Sequence, residues 1–127
     1  MNRKIKALLI MQNKEAQIVK IPANIKFIKS LIGKELQRIN LSNDTYIIAN
    51  RNSKYEDANR LMGDSLILGD FLIVNSKNGR RTSLNKKQIR KYCNAFKLRK
   101  HEKKVNYFKE LYLKNYYANL NNKQVAA

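Results

Sequence analysis

The chain has 127 residues, enough for one domain with its own hydrophobic core, and its 27 Lys and Arg against 9 Asp and Glu give a net charge of +18. Its single cysteine excludes an internal disulfide bond and fits a reducing compartment. The apolar runs at residues 7–11 and 71–74 are far shorter than the roughly 20 residues that cross a bilayer. Polar residues follow the first run before a signal-peptide core could form, so we expect a cytoplasmic protein.

The first half of the chain predicts two β-hairpins separated by a short helix. Residues 4–11 and 16–21 are rich in strand-forming residues and flank a polar turn, and residues 36–41 and 45–50 repeat this pattern. Between the hairpins, Asn24 is a candidate N-cap, and apolar residues then recur at helical spacing until a glycine at position 33. This short helix should pack on the sheet.

The second half begins with an irregular stretch at residues 51–70, which predicts a polar loop. Residues 71–74 are continuously apolar and predict a central strand, and Asn78-Gly79 marks a tight turn after it. Asn85 and Gln88 form a capping-box pair at the start of a helix, and a last helix is expected from about Lys103.

These elements predict an α+β fold with a small mixed or antiparallel sheet of about five strands, one short helix and two C-terminal helices. We expect an α+β domain with a basic helix at residues 1–100. Residues 101–127 form a C-terminal helical extension that belongs to the same globular unit or serves as an interface arm.

Positive charge is concentrated between Lys77 and Lys104, where twelve Lys and Arg face one acid, Glu102, a net charge of +11. Helical spacing places Ile89, Tyr92, Cys93 and Phe96 on a buried face and the basic side chains opposite. Such a surface predicts a polyanionic partner, DNA or RNA, with an acidic protein surface or a merely solvated face as alternatives. The predicted phosphate contacts are Arg80, Arg81, Lys86, Lys87, Arg90, Lys91, Lys97, Arg99, Lys100, Lys103 and Lys104.

The last helix carries more apolar surface than one packing face uses. Val105, Phe108, Tyr112 and Tyr116 follow one seam. The surplus predicts either a helix buried on both flanks or an interface for self-association or a protein partner, and the tyrosines also suit stacking on unpaired bases. The predicted interface residues are Tyr107, Leu111, Leu113 and Tyr117.

Catalytic patterns are weak in this sequence. His101 lies between Lys100 and Glu102, where a solvated side chain is expected, and Cys93 suits the core better than a nucleophilic role. No metal-ligand spacing of Cys or His and no Gly-rich phosphate loop is present, and the aspartates at positions 57, 64 and 70 lack the Glu-x-Lys element of a nuclease. We expect a non-catalytic protein without metal or cofactor.

The order of several motifs resembles a domain-of-unknown-function family common in phages and mobile elements. The resemblance covers about residues 4–97 and is carried by Asn59-Arg60-Leu61, the Gly69-Asp70 entry into the strand at residues 71–74, Ser83-Leu84 and the helix at residues 88–92. Gly69 suits a backbone conformation that other residues resist, and Asp70 can cap a turn or pair with Arg60. Alternatively, Asn59, Arg60 and Asp70 line a small polar pocket.

The resemblance implies a small α+β fold and a mobile-element origin, and hence a protein of a bacterial host cell. Such domains are often acidic and often end near Phe96, so the charge and the last helix of this chain are departures. A counter-defence inhibitor of a host nuclease complex, such as a CRISPR effector, is the function that this origin favours. The alternatives are a general accessory protein for phage or plasmid DNA transactions and an oligomeric scaffold.

Overall fold

The computed structural model describes the backbone of residues 3–126 and the side chains of residues 3–120. Its elements are β1 (Lys4–Ile10), β2 (Gln17–Pro22), α1 (Ile25–Ile32), β3 (Leu36–Asn40), β4 (Thr45–Asn50), a 3-10 turn (Tyr55–Asp57), β5 (Ala58–Met62), β6 (Ser65–Leu68), β7 (Phe71–Lys77), β8 (Arg80–Thr82), α2 (Lys86–Ala95) and α3 (Leu98–Ala126). The predicted α+β class, with one short helix and two C-terminal helices, is confirmed.

Among the described residues, six strands form the main sheet, in the order β2-β1-β7-β4-β3, with β8 paired to the end of β7. Every pair in this sheet is antiparallel. The predicted central position of the apolar strand is confirmed, because β7 lies between β1 and β4 and Phe71 to Val74 are all 0% exposed. Asn78 and Gly79, both with positive φ, make the turn into β8.

Alternate side chains of the main sheet enter two separate cores. On one side, which we call the α1 side, Ile28 and Ile32 of α1 pack against Ile5, Ile48 and other strand residues. On the opposite side, the α2 side, Tyr92 of α2 and Phe96 at its C-cap pack against strand residues of the other parity, including Leu8 and Ile73. The sheet therefore separates two surfaces that face in opposite directions.

The predicted polar loop at residues 51–70 is wrong, because β5 and β6 form a second, two-stranded sheet there. Gly63, with φ of 60°, makes the turn between the two strands. The polar appearance misled the prediction because Asn59 and Arg60 are buried, at 4% and 0% exposure, among backbone acceptors. Ile67 of β6 joins the core on the α2 side, so this hairpin is part of the domain.

α3 begins at Leu98, five residues before the predicted start near Lys103. The early start is supported by a residue distant in sequence, since the Glu15 carboxylate accepts a 2.8 Å hydrogen bond from the Leu98 N–H at the helix N-terminus. Val105 and Phe108 then pack on Ala58 and Leu61 of β5. No helix in the described part of the chain is long and apolar enough to cross a membrane.

Candidate nucleic-acid interface

α2 is a firmly held helix. The Asn85 side chain accepts a 2.8 Å hydrogen bond from the Gln88 N–H, and the Gln88 side chain accepts a 2.9 Å bond from the Asn85 N–H, which confirms the predicted capping box. The Gln88 amide nitrogen also lies 3.3 Å from Thr45 Oγ1 and 3.2 Å from Asn75 Oδ1. The cap thereby ties the start of α2 to the ends of β4 and β7.

The outer face of α2 forms an open groove of about 790 Å³, which we call the basic α2 groove. Ile89, Tyr92, Cys93 and Phe96 contribute to the core beneath it, so the predicted buried face is confirmed. The residues that line the groove include four cations and no acid: Lys87, Arg90, Lys91, Cys93, Asn94 and Lys97.

The start of α2 adds a second source of positive potential. The first turn of α2 contains no acid, and Lys86 and Lys87 lie there, exposed, where the helix dipole is also positive. Cations at this end of a helix repel the dipole, and a bound anion relieves that repulsion. Arg80 is exposed in β8 and pairs with Lys77, and the alternation along β7 from Asn75 puts both on the α2 side.

The remaining predicted contacts lie on the first turns of α3. Lys100 Nζ donates a 3.0 Å hydrogen bond to Asn94 Oδ1, which places Lys100 beside the groove. Lys104 follows Lys100 by four residues and shares its flank of α3, while Arg99 and Lys103 form a second exposed pair further around the helix. The positively charged surface therefore continues from the groove along one flank of α3.

Arg81 does not lie on this surface, so its grouping with the other predicted phosphate contacts on one surface is wrong. Its Nε donates a 3.0 Å hydrogen bond to Ala23 O, just before α1, and its side chain lines a cavity with Tyr46 and Ile48 of the α1 side. The cause is the pleat of β8, because neighbouring residues of a strand point to opposite faces of a sheet.

The structure adds lysines that sequence analysis missed. The Lys6 N–H donates a 2.8 Å bond to Ser83 Oγ and Lys6 O accepts a 2.8 Å bond from the Leu84 N–H, directly before the cap of α2. Lys4 and Lys6 share the parity of Leu8, which packs on the α2 side, and Lys20 is opposite Lys6 in the β1–β2 register. The signal was available in the first hairpin, where the register of the two strands fixes which lysines share a face.

Arg60 closes the C-terminal end of α2 from within the core. Its Nε donates a 2.8 Å hydrogen bond to Phe96 O and its Nη1 a 2.8 Å bond to Asn59 Oδ1, while Nη2 donates to Lys14 O. Burial lowers the pKa of Arg60 and the nearby Glu15 carboxylate opposes this change, so the guanidinium stays charged. A cation at this end of α2 also complements the helix dipole.

The Arg60–Asp70 pairing considered from sequence is wrong. Asp70 Oδ1 instead accepts a 3.0 Å hydrogen bond from the Gln12 N–H, and Asn59 Nδ2 donates 2.9 Å bonds to Ile10 O and Gly69 O. Asn59 and Arg60 thus bind backbone carbonyls and do not line a pocket for a ligand. Gly69 has φ of 75°, the conformation expected for this glycine.

His101 joins three elements, so the predicted solvated side chain is wrong. Its Nδ1 accepts a 3.2 Å hydrogen bond from the Leu61 N–H, its Nε2 lies 2.7 Å from Ala95 O, and its ring stacks on Phe96 at 5.7 Å between centroids. These bonds assign the proton to Nε2.

Burial raises the pKa of the Cys93 thiol and the Glu15 charge adds to this effect, which disfavours the nucleophilic thiolate.

The aspartates considered as a nuclease site do not gather, and among the described residues no group of three or more His, Cys, Asp and Glu could hold a metal ion. Asp57 Oδ2 instead accepts a 3.2 Å hydrogen bond from the Lys54 N–H in the 3-10 turn.

The four predicted interface residues fall on two sides of α3. Leu113 and Tyr117 line a groove of about 680 Å³ between α3 and the 3-10 turn. Tyr107 and Leu111 lie about 120° further around the helix, and Tyr107 is 62% exposed. Tyr112 stacks on Tyr55 with 4.9 Å between ring centroids, which fixes the helix against the turn. The described part of α3 is therefore core near its start and exposed beyond it.

The sheet, its two helical layers and the groove define a small α+β domain with a basic surface on its second helix. The chain belongs to the family described as Domain of unknown function (DUF3846), whose model matches residues 5–97. No curated protein and no solved structure matches the chain. The matched region runs from β1 past the end of α2, so the basic α2 groove lies inside it and α3 follows it.

Proposed function

We propose that the protein binds the phosphate backbone of a nucleic acid through the basic α2 groove and does so without catalysis. The observation that carries this proposal is the convergence of Lys87, Arg90, Lys91 and Lys97 on one open groove whose lining contains no acid. α2 has a packed inner face, so the backbone positions that carry Lys87, Arg90 and Lys91 are fixed relative to one another, which lowers the entropic cost of binding. The engaged ring of His101 and the raised pKa of the Cys93 thiol support a non-catalytic role.

The length of the groove favours a nucleic acid over a small acidic patch. Lys87 and Asn94 both line the groove and are seven residues apart within α2, which corresponds to about 10 Å along the helix. Phosphates of one strand follow one another every ~3.4 Å of duplex axis, so this distance spans about three of them, and Lys97 beyond the end of α2 supplies a fourth contact. Four phosphate contacts predict a slope of about −3.6 for log affinity against log salt, or about 150-fold weaker binding at 200 mM than at 50 mM salt.

The test is a triple charge reversal of the groove, with Lys87, Arg90 and Lys91 each replaced by Glu. These side chains are exposed and face away from the core, so the variant should keep the circular dichroism spectrum and thermal midpoint of the native chain. Its affinity for a 20-base-pair duplex, measured by fluorescence anisotropy at 100 mM salt, should fall at least 100-fold. The salt slope should approach −1, because about three contacts are lost.

A matched control reverses the same number of charges on the opposite side of the sheet, at Lys26, Lys29 and Lys34, which are all exposed. This variant has the same net charge as the groove variant, and its affinity should change by less than fivefold. Equal losses in the two variants would show that diffuse charge, and not the groove, drives binding. Repeating the titrations with single-stranded and duplex RNA identifies the preferred nucleic acid.

Counter-defence is the finer function that we propose, and it rests on the mobile-element origin that the sequence resemblance implies. Contact with both the nucleic acid and the protein of a host nuclease complex gives an inhibitor affinity as well as selectivity. The basic α2 groove suits the first contact, and the groove between α3 and the 3-10 turn, whose lining includes Leu113, Tyr116 and Tyr117, suits the second. Inhibition of a CRISPR effector should then saturate near an equimolar ratio and vanish in the groove variant. Equal inhibition of unrelated nucleases would instead favour the accessory role in DNA transactions.

A further inference from the structure

A second cavity, of about 220 Å³, lies on the α1 side of the sheet, away from the basic α2 groove. The cavity is lined by two arginines, one glutamine, one tyrosine and three aliphatic residues, and its lining contains no acid. The lining residues are Arg38, Arg81, Gln37, Tyr46, Ile25, Leu36 and Ile48.

The guanidinium of Arg38 lies over an aromatic ring. Its guanidinium carbon lies 3.9 Å from the centroid of Tyr46, a side chain that is 7% exposed, and its Nε donates a 3.0 Å hydrogen bond to Asn40 Oδ1. Tyr46 thus contacts the guanidinium from one side. Arg38 is nevertheless exposed, so its guanidinium is accessible to a second planar group, and guanidinium planes stack on flat rings.

Arg81 is anchored in the same manner, through Nε alone, by its 3.0 Å hydrogen bond to Ala23 O. Within the described residues, the terminal amino groups of Arg38 and Arg81 have no hydrogen-bond acceptor. In each arginine the Nε–H is therefore engaged, and the two terminal amino groups are free to donate to a ligand. The two guanidinium charges line the same cavity without an acid and repel each other, and an anion bound between them removes that repulsion.

We propose that this cavity binds a nucleotide, as a phosphate monoester joined to a planar ring. The terminal amino groups of Arg38 and Arg81 bind the phosphate, and the ring packs against the guanidinium of Arg38 and the aliphatic wall of Ile25, Leu36 and Ile48. The volume is below the ~300 Å³ of ordinary pockets for drug-sized ligands, which limits the site to one nucleotide. This proposal goes beyond nucleic-acid binding by the basic α2 groove and does not depend on it.

The experiment is a nuclear magnetic resonance titration of the full chain that carries the groove reversals at Lys87, Arg90 and Lys91, so that the groove does not contribute. The probes are adenosine 5′-monophosphate, adenosine and inorganic phosphate, and the signals followed are the Nε–H groups of Arg38 and Arg81. We expect saturable shifts at both arginines, with the monophosphate binding at least 10-fold more tightly than adenosine or inorganic phosphate.

Three variants locate the site. Arg38→Gln and Arg81→Gln should each weaken monophosphate binding at least 10-fold, whereas Lys34→Gln, an equal loss of charge at an exposed position outside the cavity, should change it less than twofold. Unchanged backbone amide spectra confirm that each variant is folded. Arg38 is exposed on the edge strand β3, so Arg38→Gln leaves the core intact. Shifts that do not saturate, equal binding of phosphate and monophosphate, or an equal loss in Lys34→Gln would overturn the proposal.

The nucleotide can be free or can be the phosphorylated end of a strand, and competition separates the two sources. A four-nucleotide single strand with a 5′-phosphate displaces the monophosphate when the site takes strand ends, whereas the same strand without the phosphate does not. If neither strand competes, the ligand is a free mononucleotide. Displacement by both strands alike would overturn the assignment of the phosphate to the arginine pair.

Discussion

The buried guanidinium of Arg60 provides the sharpest test of how this fold is held together. Replacing Arg60 with Met keeps a long, flexible side chain in the same space and removes every donor. Four acceptors lose their partner, namely Phe96 O, Asn59 Oδ1, Asn59 O and Lys14 O. Phe96 and Asn59 are 3% and 4% exposed, so water cannot easily replace the guanidinium there, whereas the exposed Lys14 can turn its carbonyl to solvent.

The size of the effect follows from these burial differences. Each buried acceptor left without a donor costs about 1–3 kcal/mol, and the exposed one costs little. Met carries no charge, so the variant avoids the desolvation penalty of the buried guanidinium, and this gain offsets part of the loss. The net cost of Arg60→Met in unfolding free energy is therefore about 3 kcal/mol. A chain of 127 residues has a total stability of roughly 6–19 kcal/mol and an unfolding entropy of about 0.27 kcal/mol/K. The thermal midpoint should therefore fall by about 11 °C.

The assay is urea and thermal unfolding followed by circular dichroism, with two companion variants. Arg90→Met removes an exposed arginine of α2 and should change stability by less than about 0.5 kcal/mol. Arg60→Lys keeps the charge, but its single ammonium cannot reach all four divergent acceptors, so it should recover less than half of the loss. A cost below about 1 kcal/mol for Arg60→Met, or full recovery by Arg60→Lys, would show that the hydrogen bonds of Arg60 do not stabilise the fold as a network.

Two further predictions concern the thiol and the last helix. Because burial raises the pKa of Cys93 above its ordinary value of 9.0, the folded state holds the thiol proton more tightly than the unfolded state, so this stabilisation is present below pH 9 and is lost above it. The stability of the native chain relative to Cys93→Ser, from urea titrations between pH 7 and 10.5, should be flat at first and then decline, and a constant difference would contradict the burial argument. Truncation after Lys100 removes Val105 and Phe108 from β5 and should cost about 3–5 kcal/mol, whereas truncation after Glu110 should cost about 1 kcal/mol and abolish any self-association seen by light scattering. Equal stability of the two truncated chains would exclude a core role for the start of α3.

Local signals in the sequence were sufficient for most of the main sheet and for the first two helices. The Asn24 cap and the Asn85–Gln88 capping box act within four residues of the helix start, so they can be recognised without knowledge of the rest of the chain. The continuous apolar run of β7 likewise reports burial on both faces of a central strand. The exposed position of the basic side chains on α2 was predicted from the helical spacing of its apolar residues.

The missed features depend on partners that are distant in sequence. β5 reads as a loop because the acceptors that stabilise Asn59 and Arg60 come from residues 10, 14, 69 and 96. His101 has a charged neighbour on each side, yet its ring is fixed by Leu61 and Ala95. Arg81 was assigned to the wrong surface because the parity of a three-residue strand depends on its register with β7, and a shift of one residue reverses the face.

The buried guanidinium of Arg60 helps to position the exposed cations of the basic α2 groove. Arg60 and His101 both bind carbonyls at the C-terminal end of α2, and Glu15 binds the first N–H of α3. These contacts fix the angle between the two helices, and that angle sets where Lys97 and Lys100 stand relative to the rest of the basic α2 groove. Burying one guanidinium at the helix junction therefore gives the exposed cations a fixed spacing, which a polyanion with regularly spaced phosphates can match and an unstructured basic tail cannot.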